Sequence, residues 1–385
     1  MSRRLGLWLA AATLIVAALP VVTMRADAAP VSDADWQKIV AAADKEGKIV
    51  ISHFTDAGME PVLRQFEKET GIHVEATPGR PDAVIPKILT EQQNGQYNWD
   101  VLLQPVNNVR LVLEPAHGLE PILPFLMRAD VDDDAQWYGG VTAQVPMDPP
   151  YVFYDGISNL AVGIDVDRAE VPASEVTNWP DLLKPEWKGK FGIYYPGRPA
   201  NLTLALTCYR PAFDSDAKWE DYVRAFFAQQ PVASPEFRTV ADWLVQGRFT
   251  VTVGAEGSYL ENLKNKLKRK IEAPVGQNLC GYPPTGTGRS VSIPKNPPDP
   301  NAAIVFVNWY LSKEGQDLVV RSFSATGEAS VSRRKDSTNP DPDLQKKVVD
   351  GFNAGWLKGK GMMTDSDEGL RLQRRVIELA RAAGY

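Results

Sequence analysis

An alternation of short apolar stretches with helical patterns constrains the fold of this chain more than any other feature. Lys48–Ile51, Ile72–Ala76 and Trp99–Leu103 have the length of strands, and apolar residues recur with helical spacing in the segments between them. Strands that alternate with helices of about 10–15 residues form parallel βαβ units. The sequence therefore predicts an α/β fold, and its length suits two domains rather than one.

The segment Tyr151–Asp167 predicts where the chain passes from one domain to the other. It is rich in Val, Ile, Phe and Tyr and directly follows Asp148-Pro149-Pro150, which is typical of an extended segment. A second set of strands and helices follows, and Arg289–Ile293 predicts the strand that returns to the first domain. We expect two interleaved α/β lobes with a hinge of crossing strands. The first lobe comprises residues 29–150 and 290–340, and the second comprises residues 151–289 and 341–385.

The N-terminus has the pattern of a cleavable signal peptide over residues 1–28. Arg3 and Arg4 precede the apolar run Leu5–Leu19, and Ala26-Asp27-Ala28 fits an A-x-A cleavage site. An uncleaved membrane anchor is the alternative, but the run is shorter than the roughly 20 residues that span a bilayer. We therefore expect a mature periplasmic protein that begins at Ala29.

Charge and motif content argue against two functional classes. The formal net charge is −6, and the acidic residues are scattered rather than gathered in blocks, which does not favour nucleic acid as a partner. The chain has three histidines and contains neither G-x-S-x-G nor H-E-x-x-H, so we expect no enzyme activity, no cofactor and no metal site.

Two cysteines leave the redox state of the chain open. Cys208 and Cys280 can form a disulfide in an oxidising compartment outside the cytoplasm. Two separate buried thiols are the alternative, and the spacing does not decide between them.

Polar residues at the ends of predicted strands form the candidate ligand site, because ligands of parallel sheets gather at the carboxyl ends of the strands. Taken singly, each residue could equally be an ordinary cap or turn former. Arg80 and Arg198 could bind a carboxylate or phosphonate through paired hydrogen bonds, whereas Glu256 could pair with an amine. The candidates are Thr55, Asp56, Arg80 and Gln104 in the first lobe and Tyr195, Arg198, Asn201, Glu256, Ser258 and Tyr259 in the second.

Several segments, in order along the chain, together form a recognisable pattern. They are Trp36 with Ala42–Val50, Phe66–Ile72 (FEKETGI), Trp99–Val101, Trp179–Lys190 (WPDLLKPEWKGK), Asn301–Ala303 and Leu311–Gln316 (LSKEGQ). With these segments the chain resembles family 1 extracellular solute-binding proteins of ABC importers, in the branch of ferric-iron, thiamine, polyamine and phosphonate binders. The resemblance implies a type 2 periplasmic binding protein, a monomer whose two lobes close on a small-molecule or ion ligand and deliver it to a membrane permease.

The resemblance also implies what a ferric-iron site would need. Iron-binding members use adjacent tyrosines on a strand-to-helix loop of the second lobe, with a histidine and a glutamate from the first. Here Leu260 follows Tyr259, and Thr55 and Gln104 stand near the places of the histidine and the glutamate. We therefore expect a small polar or charged solute. A ferric-iron carrier, or a ligand sensor that serves a receptor instead of a permease, is the alternative.

Overall fold

A computed structural model describes residues 30–385 of the chain, apart from residues 56, 146, 159–162, 256, 276–288, 327–329, 341, 343–344 and 347–365. The predicted signal peptide lies outside this part and stays a prediction. Among the described residues, no helix combines the length and the apolar character that crossing a membrane requires.

Twelve strands in the described residues form two sheets, and helices pack around them. The strands are β1 (Lys48–His53), β2 (His73–Pro78), β3 (Val101–Leu103), β4 (Leu119–Glu120), β5 (Val152–Ser158), β6 (Ile164–Asp167), β7 (Gly192–Tyr194), β8 (Val232–Ser234), β9 (Val251–Val253), β10 (Ile271–Val275), β11 (Arg289–Pro294) and β12 (Ser330–Ser332). The α-helices are α1 (Asp33–Glu46), α2 (Met59–Thr70), α3 (Pro81–Gln93), α4 (Val106–Val112), α5 (Asn201–Cys208), α6 (Asp216–Ala228), α7 (Phe237–Val245), α8 (Gly257–Leu267), α9 (Pro300–Tyr310), α10 (Lys313–Ala325) and α11 (Asp367–Ala382).

The first sheet has the order β12-β5-β11-β3-β1-β2, with β4 beside β11. β1 runs parallel to β2 and β3, whereas β11 runs antiparallel to β3 and β5. The helix ends follow from the sequence: the Ser32 side chain caps α1 at its N-terminus, and Gly47 ends it with a φ of +73°. The carboxyl ends of β1, β2 and β3 therefore meet at one edge of the sheet, as the βαβ pattern predicts.

The second sheet has the order β10-β6-β9-β7-β8. β7 is parallel to β8 and β9, and β6 is antiparallel to β9 and β10. Its core is aromatic, with Trp179, Trp219 and Phe226 all buried. The Trp179–Leu183 segment is a 3₁₀ helix capped by Asn178. The mixed α/β architecture of two sheets confirms the predicted fold class.

Strand pairing places one segment differently from the sequence prediction. β5 pairs with β11 and β12 and so belongs to the first sheet, although residues 151–158 were assigned to the second lobe. The physical reason is the side chain of Phe153, which is buried in the first lobe with its ring centroid 4.8 Å from that of Trp137. Sheet membership changes between Ser158 and Ile164, and the exact lobe boundaries stay a prediction.

A buried ion pair lies where β5 and β11 run side by side. Arg289 Nε donates to Asp155 Oδ2 at 3.1 Å, and the Tyr310 hydroxyl donates to the same oxygen at 3.0 Å. The Asp155 side chain is 0% exposed and that of Arg289 is 8% exposed. Gly156 leaves room for the guanidinium, because a Cβ there would lie 2.0 Å from Arg289 Nη2. The first lobe therefore depends on two charges that neutralise each other away from water.

Asp100 joins the start of α9 to the first sheet. Its carboxylate accepts the backbone N–H groups of Val50 at 2.8 Å and Asp299 at 2.7 Å. Burial raises the pKa of Asp100 to about 6. A carboxyl whose pKa is higher in the folded chain than its ordinary value stabilises the fold most at low pH, and this stabilisation is lost as the pH rises through about 6.

We expect the Asp100→Asn variant to have a flatter pH profile of stability than the wild type. Between pH 4 and pH 7 the wild type should lose about 2 kcal/mol of unfolding free energy that the variant does not lose, since one pKa unit corresponds to about 1.4 kcal/mol. Urea denaturation of both proteins across this range measures the difference. Parallel profiles would contradict the assignment.

Cys208 is disulfide-bonded and lies buried at the end of α5. The other cysteine of the chain, Cys280, lies outside the described residues. Of the two alternatives that the sequence leaves open, the state of Cys208 agrees with the disulfide.

Candidate functional site

Arg80 reaches from the first lobe to the second. It lies two residues after β2 and directly before α3, so the carboxyl end of the strand places it at the edge of the sheet. Its guanidinium donates to the hydroxyl of Tyr194 at 2.6 Å, the carbonyl of Pro235 at 2.9 Å and the carboxylate of Glu236 at 2.7 Å. Asp82, in the first turn of α3, accepts from Arg80 Nε at 3.2 Å. Three contacts thus cross between the lobes at one side chain.

Arg198 makes the reciprocal contacts from the second lobe. Its guanidinium forms an ion pair with Asp82 of the first lobe, and it donates to the Pro235 carbonyl at 2.7 Å. The guanidinium carbon lies 5.8 Å from the ring centroid of Tyr194 and 5.6 Å from that of Tyr195. Arg198 Nε is buried and has no hydrogen-bond partner in the structure. Cation–π contact with two rings therefore fixes Arg198 at the lobe interface.

Tyr194 is the point on which the two arginines converge. Arg80 Nη2 lies 2.6 Å and Arg198 Nη2 lies 3.5 Å from its hydroxyl oxygen. Burial raises the pKa of the Tyr194 phenol, and the charges of Arg198 and Arg80 partly oppose this rise. The side chain of Tyr194 is buried, but its hydroxyl meets Arg80 of the other lobe.

Asp82 and Glu236 were not among the ligand-site candidates predicted from the sequence. Each follows a proline near the end of a strand, and this position was the sequence feature that could have suggested them. Only the approach of the two lobes shows that Glu236 meets Arg80 and that Asp82 meets Arg198. We call Arg80, Asp82, Tyr194, Arg198 and Glu236 the interlobe cluster.

Gln104 lies deeper in the first lobe than the interlobe cluster. It is buried at the carboxyl end of β3, where its amide nitrogen donates to Ser52 Oγ at 3.0 Å and to the Gly79 carbonyl at 3.3 Å. Its amide oxygen is buried without a hydrogen-bond partner. Thr55 lies just beyond β1 and is exposed, and the neighbouring candidate Asp56 lies outside the described residues.

Asn201 and Tyr259 lie on two neighbouring strand-to-helix connections of the second lobe. Asn201 begins α5, and its side-chain amide donates to the Ala255 carbonyl at 3.2 Å in the connection between β9 and α8. The Tyr259 hydroxyl donates to Asp242 of α7 at 3.0 Å, so its contact lies within the second lobe. Glu256 and the side chain of Ser258 lie outside what the structure describes.

The structure therefore brings together some candidates and separates others. Arg80, Arg198 and Tyr195 meet in or beside the interlobe cluster, whereas Asn201 and Tyr259 make their described contacts within their own lobe. A second set of contacts joins the lobes at α4, where Asn107 donates to Gln373 at 3.3 Å and Asn108 to the Pro199 carbonyl at 3.2 Å.

The described histidine, cysteine and carboxylate side chains of this region do not gather into a metal site. His53, near the predicted place of the iron-binding histidine, is buried, and its Nδ1 lies 2.6 Å from the Phe54 carbonyl. Burial lowers the pKa of His53, so its ring is neutral near pH 7. Across the described ranges, no group of three or more His, Cys, Asp or Glu residues could hold a metal ion.

Comparison with known proteins identifies the fold and the family. A model of the family described as bacterial extracellular solute-binding protein matches residues 61–338. The chain belongs to this family. This solute-binding protein is also 22% identical, over 67% of its length and 69% of the relative's, to Iron uptake protein A1 of Synechocystis sp..

Two solved structures share the fold of the solute-binding protein. Iron-bound HitA from Pseudomonas aeruginosa is 18% identical with a TM-score of 0.63, over 88% of this chain and 99% of that one. AfuA from Actinobacillus pleuropneumoniae, solved with fructose-6-phosphate, is 19% identical with a TM-score of 0.63, over 87% of this chain and 99% of that one.

Membership of the family confirms the main functional prediction from the sequence. The protein is a substrate-binding component of an importer, and its family is one of transport proteins rather than an enzyme class. The type 2 periplasmic binding fold is confirmed by the solved structures. The narrower branch, with its choice among ferric iron, thiamine, polyamines and phosphonates, is not decided by the family.

Proposed function

We propose that this protein captures a small organic anion in the periplasm and delivers it, as a monomer freed of its signal peptide, to an ABC permease. The observation that supports the anion most is the convergence of two arginines, one from each lobe, on the hydroxyl of Tyr194. Guanidinium groups bind carboxylate and phosphate groups through paired, charge-assisted hydrogen bonds. An anion between Arg80 and Arg198 would draw the lobes together, which is the usual closing motion of a two-lobe binder.

The acidic members of the interlobe cluster fit this proposal. Asp82 and Glu236 accept from the two arginines and so occupy donors that a ligand carboxylate or phosphate would use. The arginines remain charge-compensated while the cleft holds no ligand. A bound anion that shared the two guanidinium groups with Asp82 would leave neither an arginine nor the buried carboxylate unpaired.

The ligand is expected to carry hydroxyl groups besides its anionic group. Arg198 Nε is a buried donor without a partner, and the amide oxygen of Gln104 is a buried acceptor without one. Buried polar atoms are almost always hydrogen-bonded, so a ligand that offers both an acceptor and a donor would satisfy them. Sugar phosphates and hydroxycarboxylates have this chemistry, and AfuA was solved with fructose-6-phosphate.

Ferric iron is the second candidate. Tyr194 and Tyr195 are adjacent and both face Arg198, and a curated relative and a solved neighbour are described as iron proteins. Hard ferric iron favours oxygen ligands such as tyrosinate. Against this candidate, burial raises the pKa of the Tyr194 phenol and so disfavours the tyrosinate that a ferric ion needs.

A thermal-shift panel separates the candidates. We expect hexose phosphates or hydroxycarboxylates to raise the unfolding temperature of the mature protein, because a ligand that binds only the folded state stabilises it by mass action. Thiamine and spermidine, which are cations, should have no effect. A rise with ferric salt alone, together with a visible tyrosinate–iron absorption band, would replace the anion proposal by the iron carrier.

A further inference from the structure

A basic surface lies at the end of α8, away from the interlobe cluster. Lys266, Lys268 and Lys270 are exposed, and Lys264 and Arg269 are partly exposed among them. Leu267, at the centre of this run, is 52% exposed and is the one large hydrophobic side chain classed as exposed in the described part of the chain. We call Lys264 and residues 266–270 the basic surface.

The basic surface lies at the opposite end of the second sheet from the ligand site. Arg168 N–H donates to the Lys270 carbonyl and Asp167 N–H to the Thr250 carbonyl, so these residues lie at the amino end of β9. The candidate ligand residues follow the carboxyl ends of β7, β8 and β9. A partner bound at the basic surface would therefore touch one lobe only and would not depend on closure of the cleft.

Neighbouring acidic groups compensate only part of the positive charge. Asp167 pairs with Arg269 and Glu272 pairs with Arg168, while Glu170 and Glu175 lie exposed at the margin. Lys266, Lys268 and Lys270 form no ion pair with the side chains that the structure describes around them. Charges farther away than about 10 Å are screened at physiological salt, so the net charge of −6 does not cancel the local positive charge.

The end of α8 has a backbone conformation that favours glycine, yet a lysine occupies it. Lys268 has a φ of +51°, and the Arg269 N–H donates to the Lys264 carbonyl to close the last turn. Helices commonly end with glycine at such a left-handed position because other residues are strained there. Lysines inside the last turn can be explained by the helix dipole. Lys268 and Lys270 lie beyond it, so the dipole explains them less well.

We propose that the basic surface binds the anionic phospholipid surface of a membrane. Lysines that surround one exposed leucine match the pattern of interfacial binding, in which the apolar side chain enters the headgroup layer and the lysines meet lipid phosphates. An acidic protein would use the lysines but would not need Leu267 to be exposed. The contact would hold the solute-binding protein near the membrane whether or not the cleft is occupied.

Vesicle binding tests this proposal. The mature protein should bind vesicles that contain phosphatidylglycerol, should not bind vesicles of phosphatidylcholine alone, and should dissociate as salt is raised. Replacing Lys266, Lys268 and Lys270 by Gln should weaken binding by roughly 100-fold, since each lysine near an anionic surface contributes about fivefold. The matched control replaces the exposed residues Lys38, Lys45 and Lys68 of the first lobe by Gln and should bind like the wild type.

Two single variants separate membrane binding from folding. Lys268→Gly should raise the unfolding temperature, because glycine relieves the left-handed strain, and should weaken vesicle binding about fivefold. Leu267→Gln should weaken binding without changing its salt dependence. Equal binding by the lysine variant and its control, or no binding of the wild type to phosphatidylglycerol vesicles, would overturn the proposal.

Discussion

Replacing Asp155 by leucine is expected to destabilise the protein by about 3–5 kcal/mol, the usual cost of leaving one charge of a buried pair without its partner. Asp155 is the carboxylate that neutralises Arg289, and it also accepts from the hydroxyl of Tyr310. Both Nη atoms of Arg289 are already buried without hydrogen-bond partners, so loss of Asp155 would remove the carboxylate that compensates this charge. Urea denaturation of wild type and variant measures the loss.

A second substitution shows whether the uncompensated charge is the cause. Replacing Arg289 by methionine in the Asp155→Leu background should recover most of the lost stability, because apolar residues of similar volume often replace a buried ion pair without cost. The exposed pair of Lys38 and Asp35 provides the control, and Asp35→Leu should cost less than about 1 kcal/mol. Equal losses for Asp155→Leu and Asp35→Leu would show that the buried pair has no special role.

Replacing Arg198 by methionine is expected to lower the affinity for the anionic ligand by about 10–100-fold. The estimate follows from the 1.5–3 kcal/mol that a hydrogen bond to a charged group typically contributes. Methionine keeps much of the apolar contact with Tyr194 and Tyr195 but removes the charge and all the donors. Isothermal titration with the ligand found in the thermal-shift panel measures the change.

Two controls separate an anion contact from a general loosening of the cleft. Arg64→Met removes an arginine whose contacts with Glu60, Glu67 and the Val74 carbonyl all lie in the first lobe, so it should not alter affinity. A neutral analogue of the ligand that lacks the phosphate or carboxylate should bind wild type and Arg198→Met alike. A matching loss of affinity for the neutral analogue would assign Arg198 to lobe closure rather than to the anion.

The alternation of strands and helices could be predicted from the sequence because the central strands are buried on both faces. β3 and β9 are fully buried and consist of uninterrupted apolar residues or Thr, so they stand out between amphipathic helices. The sequence did not predict the sheet to which β5 belongs. Periodicity indicates that a segment is extended, but the contact of Phe153 with Trp137 decides its neighbours.

The candidate site was predicted only where the edge of the sheet determines position. Arg80 and Arg198 follow strands, and the rule that ligands gather at the carboxyl ends of strands made both of them candidates. Their contacts with Asp82, Tyr194 and Glu236 depend on how the two lobes approach each other, and no local sequence pattern predicts that approach. β7 ends at Tyr194 and Tyr195 lies beyond it, so the alternation of side chains along a strand does not apply to this pair and both rings approach Arg198.

The central place of β11 sets the order in which the two lobes can fold during synthesis. β11 lies between β5 and β3, yet the ribosome adds it after every strand of the second sheet. The second sheet is built from consecutive strands and can close while its own segment emerges. The first sheet has to wait for a partner that is distant in sequence, and such pairings form slowly. The strands β1, β2 and β3 therefore cannot be joined to β5 in one sheet until β11 has been synthesised, after the whole second sheet.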